Sequence, residues 1–309
     1  HQDFSYLQQS IHDSIQPLKA LPAKIGVLGS GRPGGSDMME ILFQYISIFF
    51  LLEVRNYQRI RTLVEREKDA AQSLFLMVGE WDMLQAVASY RQGLQYYCEP
   101  LLGSEQFKFE DAFHPLLKEP VANSLAPTHN TVLITGSNMS GKSTFLRTIG
   151  VNALCAQTIY TCAARRWEMP WVQLLTSIGR ADNVVEGKSY YLVEALAVKR
   201  ILDCLDDGRW TMAIIDEIFR GTNSEERIQA SQGVLTHMSS HRCLTFCATH
   251  DIELVERLGE RIENYHFREW VSDEDGLRFD FLLRPGAATT RNALRLLAYL
   301  GYPKDITEP

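Results

Sequence analysis

Basic residues are in short supply: 31 Lys and Arg against 38 Asp and Glu leave a formal charge of −7 over 309 residues. That balance excludes a histone-like or arm-like nucleic-acid binder, which works through a broad positive surface. Any nucleic-acid partner must be met by a local patch or by parts of the protein outside this sequence. Long apolar runs are missing too. The richest stretch, 41–54, is interrupted by Gln44, Ser47 and Glu53, and falls short of the ~20 residues that span a bilayer. None of the six cysteines stands in a CxxC pair, so neither a disulfide framework nor a zinc finger is indicated and a reducing compartment is expected. No secretory leader pattern opens the sequence, which makes a cytoplasmic location without membrane attachment the expectation. What the chain does have is apolar mass. At 45% hydrophobic residues it is too rich for disorder, and its length suggests two domains with real cores.

Two textures divide the chain. Residues 26–37 hold five glycines and a proline and read as a flexible loop. Ser36 or Asp37 can then cap a helix over 38–68, and a second helix is expected over 70–97, with Leu74, Met77, Trp81 and Leu84 at helical spacing. This gives a helical connector over 1–105. Beyond it, short apolar runs at Thr131–Thr135, 212–215 and 244–248 alternate with helical patterns at 142–157, 189–205 and 224–239, and a last helix covers 290–300. Strands alternating with helices predict an α/β domain over 106–309 with a mostly parallel sheet.

The chemistry is concentrated where those strands end. GSNMSGKST over 136–144 is a full GxxxxGK[ST] motif, preceded by a strand and followed by a helix, as a phosphate-binding loop requires. Backbone N–H groups from Gly136, Ser137, Asn138, Met139, Ser140, Gly141 and Thr144 would wrap phosphate oxygens at the positive end of a helix. Lys142 would reach the β- and γ-phosphates, and the Ser143 hydroxyl would ligate Mg²⁺. The run MAIIDE places Asp216 and Glu217 at the end of another strand. Asp216 suits a Mg²⁺ carboxylate, and Glu217 suits a general base acting on the attacking water. His250 ends a third apolar run, where it can sense or polarise a γ-phosphate.

Together these segments resemble the ATPase domain of MutS-type DNA mismatch-repair proteins. TGSNMSGKST is similar to that family's TGPNMGGKST, GKSYYLVE to its GxSTFxxE signature, IIDEIFRGTNS to MDEIGRGTS, and FCATHDIEL to FATHYxEL. Ile178-Gly-Arg-Ala-Asp182 and His114-Pro115 fall at matching places, and 79–88 resembles the helical segment ahead of the ATPase. The resemblance implies a P-loop NTPase of the ABC type using ATP and Mg²⁺. It implies a homodimer with composite ATP sites, in which Ser189 of one subunit approaches the γ-phosphate bound by the other and Arg220-Gly-Thr222 contributes. It also implies coupling of ATP state to DNA, with mismatched or distorted duplex read largely through regions outside this sequence.

Two departures stand out. Where the family places an aromatic residue ahead of the Asn matching Asn123, this chain has Pro120-Val121-Ala122; Val121 and Phe281 are then the expected base-pocket residues, with Phe281 supplying the ring. The ending RPGAATTRNA also differs from the family's DGAASKSYG, which suggests a divergent branch. Other readings stay open: another ATPase of the same clan, which would need a long coiled coil or a membrane span, or a scaffold gated by nucleotide without turnover. The triplet Phe267-Arg268-Glu269 matches the family's mismatch-reading Phe-x-Glu only by coincidence, and Gly29-Ser-Gly31-Arg-Pro-Gly34 is a weak dinucleotide-loop match.

Overall fold

The computed structural model describes residues 9, 11–13, 15–16, 45–46, 48–137, 139–179, 190–219, 223–272, 276–288 and 302–303. The chain divides into two compact units, His1–Tyr90 and Arg91–Pro309. The glycine-rich loop over 26–37 and the last helix over 290–300 lie outside the described residues.

The first unit is helical where described. Helix α1 spans Leu52–Arg66 and α2 spans Lys68–Gly93. The single long helix expected over 38–68 is broken, because Leu51 adopts a left-handed φ of 50° immediately before α1. Such a conformation costs a branched side chain about 1 kcal/mol and ends a right-handed helix. The interleaved charges of α1 form exposed pairs such as Arg61–Glu65 at 2.8 Å, a solvated face of little energetic weight. Helix α2 stops four residues short of its expected end at Tyr97 and has no buried residue, although Leu74, Met77, Trp81 and Leu84 share a face.

In the second unit, four short strands form a small sheet in the order β1-β5-β2-β3: β1 Leu101–Leu102, β2 Lys108–Ala112, β3 Asn123–Leu125 and β5 Arg166–Met169. A six-stranded sheet carries the rest: β4 Thr131–Thr135, β6 Val172–Ser177, β7 Trp210–Asp216, β8 Cys243–Thr249, β9 Glu263–Ser272 and β10 Gly276–Pro285. Its order is β10-β9-β4-β8-β7-β6, parallel throughout except for the antiparallel edge strand β10. The expected mostly parallel sheet is therefore present.

Burial explains why these runs are strands. Every residue of β4 and β8 is buried, as happens when a parallel sheet is covered on both faces. Alternate residues feed separate cores. Val132, Ile134, Met212, Ile214, Leu244 and Phe246 pack with α3, Lys142–Thr158, and with Phe109 and Trp167 of the small sheet. Leu133, Ala213, Ile215, Cys243 and Cys247 face α4 Tyr190–Leu202, α5 Ser224–Ser239 and α6 Ile252–Leu258 instead. Asn223 caps α5 by accepting from the Glu225 N–H at 3.0 Å, with Glu225 and Glu226 at the helix's positive end.

Candidate nucleotide site

Parallel strands leave their loops at one edge of the sheet, and ligands collect there. Register places three motifs at the same level: Thr135 pairs with Thr249, and Asp216 pairs with Ala248. The turn after β4, the acids after β7 and His250 after β8 thus converge although β8 separates the other two strands. Glu217 extends the ladder by one residue, its N–H donating to Ala248 O at 3.0 Å.

The loop between β4 and α3 is shaped by two glycines. A Cβ on Gly136 (φ 143°) would fall 2.8 Å from Ser140 Oγ, and one on Gly141 (φ 106°) would fall 3.1 Å from the Phe281 ring. Only glycine leaves that space open. Lys142, the first residue of α3, is 5% exposed. Its ammonium donates to the carbonyls of Gly136 and Ser137, both at 2.7 Å, so the loop is wound around the charge. Ser143 donates to Asp216 Oδ2 at 2.6 Å. Ser137 donates to the Glu269 carboxylate on β9.

A cavity of about 330 Å³ opens over this loop, bounded by Ser137, Met139, Lys142, Ser143, Asp216 and Glu217 on one side. Val121, Asn123 and Phe281 line it as well. Asn123 fixes the β10 bulge that carries Phe281: its Nδ2 donates to Phe281 O at 3.0 Å, and its Oδ1 accepts from Leu283 N–H at 2.6 Å. His114 also lines the wall; burial, with a smaller contribution from Arg147, holds its imidazole below the usual value and so favours the neutral form.

His250 meets the site through Glu217 rather than through the cavity wall, with Nδ1 3.3 Å from Glu217 Oε2. That hydrogen bond is the main cause of a raised imidazole pKa, opposed by partial burial and aided by the charges of Glu217 and Asp251. Asp251 in turn is gripped by both arms of Arg227, at 2.8 and 2.9 Å. Met139, Glu217 and Phe281 all have positive φ, three of the seven such non-glycine residues among those described. All three line this cavity, and stored backbone strain of this kind is common at ligand-binding sites.

The residues fit a polyphosphate with a hard cation. Ser140 Oγ is buried in the loop and has no hydrogen-bond partner. Ser143 and Asp216 supply one hydroxyl and one carboxylate. No group of three or more His, Cys, Asp or Glu able to hold a metal occurs among the described residues. Mg²⁺ characteristically takes few protein ligands and completes its shell with phosphate oxygens and water.

The structure brings together Gly136, Ser137, Met139, Ser140, Gly141, Lys142, Ser143, Thr144, Asp216, Glu217, Val121 and Phe281, with His250 behind Glu217. Asn138, Ser189 and 220–222 lie outside the described residues, and no helix among those described is long and apolar enough to cross a membrane. Sequence reasoning passed over Glu269: its triplet reads as coincidence, yet its carboxylate and the Phe267 carbonyl both back the loop between β4 and α3. The Ser that replaces the family's Pro at 137 was the available clue.

Fold and site define an α/β protein whose glycine-bounded strand–loop–helix turn faces two strand-end acids. Comparison places it more narrowly. The family model described as MutS domain V matches residues 132–309, and the chain belongs to the MutS family. It is 30% identical over 268 residues to the DNA mismatch repair protein MutS of Natronomonas pharaonis, covering 83% of this chain and 31% of that protein. It is 31% identical over 255 residues to the protein of the same name from Thermus thermophilus, covering 81% and 31%. For the Aquifex pyrophilus protein the figures are 28% over 265 residues, 82% and 31%. The chain thus spans about a third of the length of these relatives.

Proposed function

We propose that the chain is the ATP-binding and hydrolysing motor of a MutS-like protein of DNA mismatch repair or damage sensing. In this reading a helical connector over 1–105 leads into a P-loop ATPase of the ABC type over 106–309. The observation that carries the proposal is the hydrogen bond from Ser143 to Asp216 beside the loop-wrapped Lys142: a hydroxyl and a carboxylate suited to a cation stand next to a loop suited to phosphate.

Lys142 and the backbone N–H groups of 136–144 hold the β- and γ-phosphates, and the Lys142 charge offsets the negative charge of the transferred phosphoryl group. Ser143 and Asp216 hold Mg²⁺, which when bound neutralises phosphate charge. Glu217 accepts the proton of the attacking water, and His250, hydrogen-bonded to that carboxylate, orients it and senses the γ-phosphate. Phe281 stacks on the base and Val121 flanks it. Ser189 acts across a homodimer on the partner's ATP, and the coupling to mismatched or distorted DNA runs through other regions of the protein. A cytoplasmic location accompanies this role.

The test is ATP turnover with and without Mg²⁺, repeated with Glu217→Gln. Multiple turnovers in the wild type that vanish in the variant, with ATP binding kept, support the motor. Binding without turnover in the wild type replaces it with a nucleotide-gated scaffold.

A further inference from the structure

None of the six cysteines is in a disulfide, but two of them face each other. Cys98 and Cys162 form an isolated antiparallel bridge in the second unit. Cys98 N–H donates to Cys162 O at 3.0 Å, and Cys162 N–H donates to Cys98 O at 2.9 Å. A reciprocal pair of this kind sets the two Cα atoms about 5.5 Å apart with both side chains on one face. That spacing falls within the roughly 4.4–6.8 Å seen across disulfides, so the backbone separation admits one.

The neighbourhood holds the two segments in place. Arg91 donates to Thr161 Oγ1 at 2.8 Å and to Tyr160 O at 3.0 Å, and lies 3.4 Å from the Glu99 carboxylate. Ile159 and Thr161 N–H groups both return to Cys155 O, at 3.0 and 3.4 Å, closing the end of α3. Cys162 is fully buried while Cys98 is half-buried, so a small oxidant reaches Cys98 first. The facing Cys162 thiol holds Cys98 below its usual pKa against the opposing effect of burial, while Cys98 and burial push up Cys162, whose Sγ donates to Asn152 O at 3.6 Å. Cys98 is accordingly the better thiolate of the two.

We propose that Cys98 and Cys162 are a redox modification site, closing into a reversible disulfide when the protein meets a peroxide. In the first step the Cys98 thiolate attacks one oxygen of hydrogen peroxide. An S–O bond forms, the O–O bond breaks, and the departing hydroxide takes up a proton to leave as water. In the second step the Cys162 sulfur attacks the Cys98 sulfenic sulfur. An S–S bond forms, the S–O bond breaks, and a second water leaves with the Cys162 proton. Two thiols are oxidised and one peroxide is reduced to two waters. The product staples the segment that follows α2 to the loop that follows α3, the helix that begins at Lys142. The site is independent of the nucleotide reading.

The experiment exposes the full chain to hydrogen peroxide, alkylates the remaining thiols and maps the unreduced digest by mass spectrometry. Expected are loss of two of the six alkylatable cysteines, a Cys98–Cys162 cross-linked peptide, reversal by dithiothreitol, and a Tm higher by several degrees in the oxidised form. Six surviving thiols, a cross-link through Cys155, or over-oxidation of Cys98 without a cross-link each overturn the proposal. Because a change at buried Cys162 can impair folding, Cys98→Ser serves as the control. In that variant both the cross-link and the Tm rise must vanish, and any remaining cross-link through Cys162 refutes the pairing.

Discussion

The Ser143 hydroxyl donates to Asp216 Oδ2 at 2.6 Å, joining the first turn of α3 to the end of β7 although β8 lies between β7 and the strand that leads into α3. A hydrogen bond to a carboxylate contributes about 1.5–3 kcal/mol when well buried, and both residues here are only half-buried. Ser143→Ala should therefore lower stability by about 1 kcal/mol in chemical denaturation. Its larger effect should fall on nucleotide binding. Affinity for ATP with Mg²⁺ should drop about tenfold or more, by roughly the loss of one metal ligand. Affinity measured in EDTA should change little. Equal losses in both conditions would assign Ser143 a purely structural role.

Glu217 combines burial, a φ of 62° and a histidine 3.3 Å away. General-base catalysis is commonly worth about 10²–10⁴ in rate. Glu217→Gln keeps the shape and removes the proton acceptor, so steady-state turnover should fall at least ~100-fold while fluorescent-ATP affinity stays within about threefold. Near-normal turnover would move the base elsewhere.

How much of this was legible in the sequence depended on the range of the forces involved. The strand Thr131–Thr135 and the helix Ser224–Ser239 were readable to the residue, because a continuous apolar run and a capped start are local signals. That Lys142, Ser143, Asp216 and Glu217 meet at one cavity was legible because their motifs stand at strand ends, and parallel strands bring those ends to one edge of the sheet. The small sheet was not foreseen. Its strands are two to five residues long, and β2 reads KFEDA, with too few apolar residues to declare a strand. The pairing of Asn123 with β10 spans some 160 residues, and no local pattern encodes it. The break at Leu51 was hidden for a related reason: nothing in an apolar run distinguishes the residue that will turn left-handed.

His250 carries the pH dependence. Its pKa lies above the ordinary 6.5, chiefly through the hydrogen bond to Glu217. A group with a raised folded-state pKa binds its proton more tightly when folded. Its stabilisation is complete below the unfolded value and is lost as pH rises through the folded one. The wild type should thus exceed His250→Gln in stability in mildly acidic buffer, and the gap should close as pH rises above neutrality. With the side chain half-exposed, solvent screening should keep the gap under about 1 kcal/mol. Urea denaturation at several values between about pH 5.5 and 8.5 measures it. A gap that widens with rising pH would contradict the Glu217 interaction.

Phe281 offers the last test, because its geometry separates packing from recognition. Its ring bounds the cradle at Gly141, and its backbone sits at φ 55° in a bulge clamped by Asn123. Stacking an aromatic ring on a base contributes about 1–3 kcal/mol, so Phe281→Ala should weaken ATP binding roughly 5- to 100-fold, whereas Phe281→Trp should preserve it. Inorganic triphosphate has no base to stack and should bind Phe281→Ala as it binds the wild type. Asn123→Ala leaves the ring in place but removes the bulge's two hydrogen bonds, so it should show a smaller loss in the same direction, with triphosphate binding again intact. If triphosphate and ATP affinities fall together in Phe281→Ala, the ring merely supports the loop through Gly141, and the base must be held elsewhere.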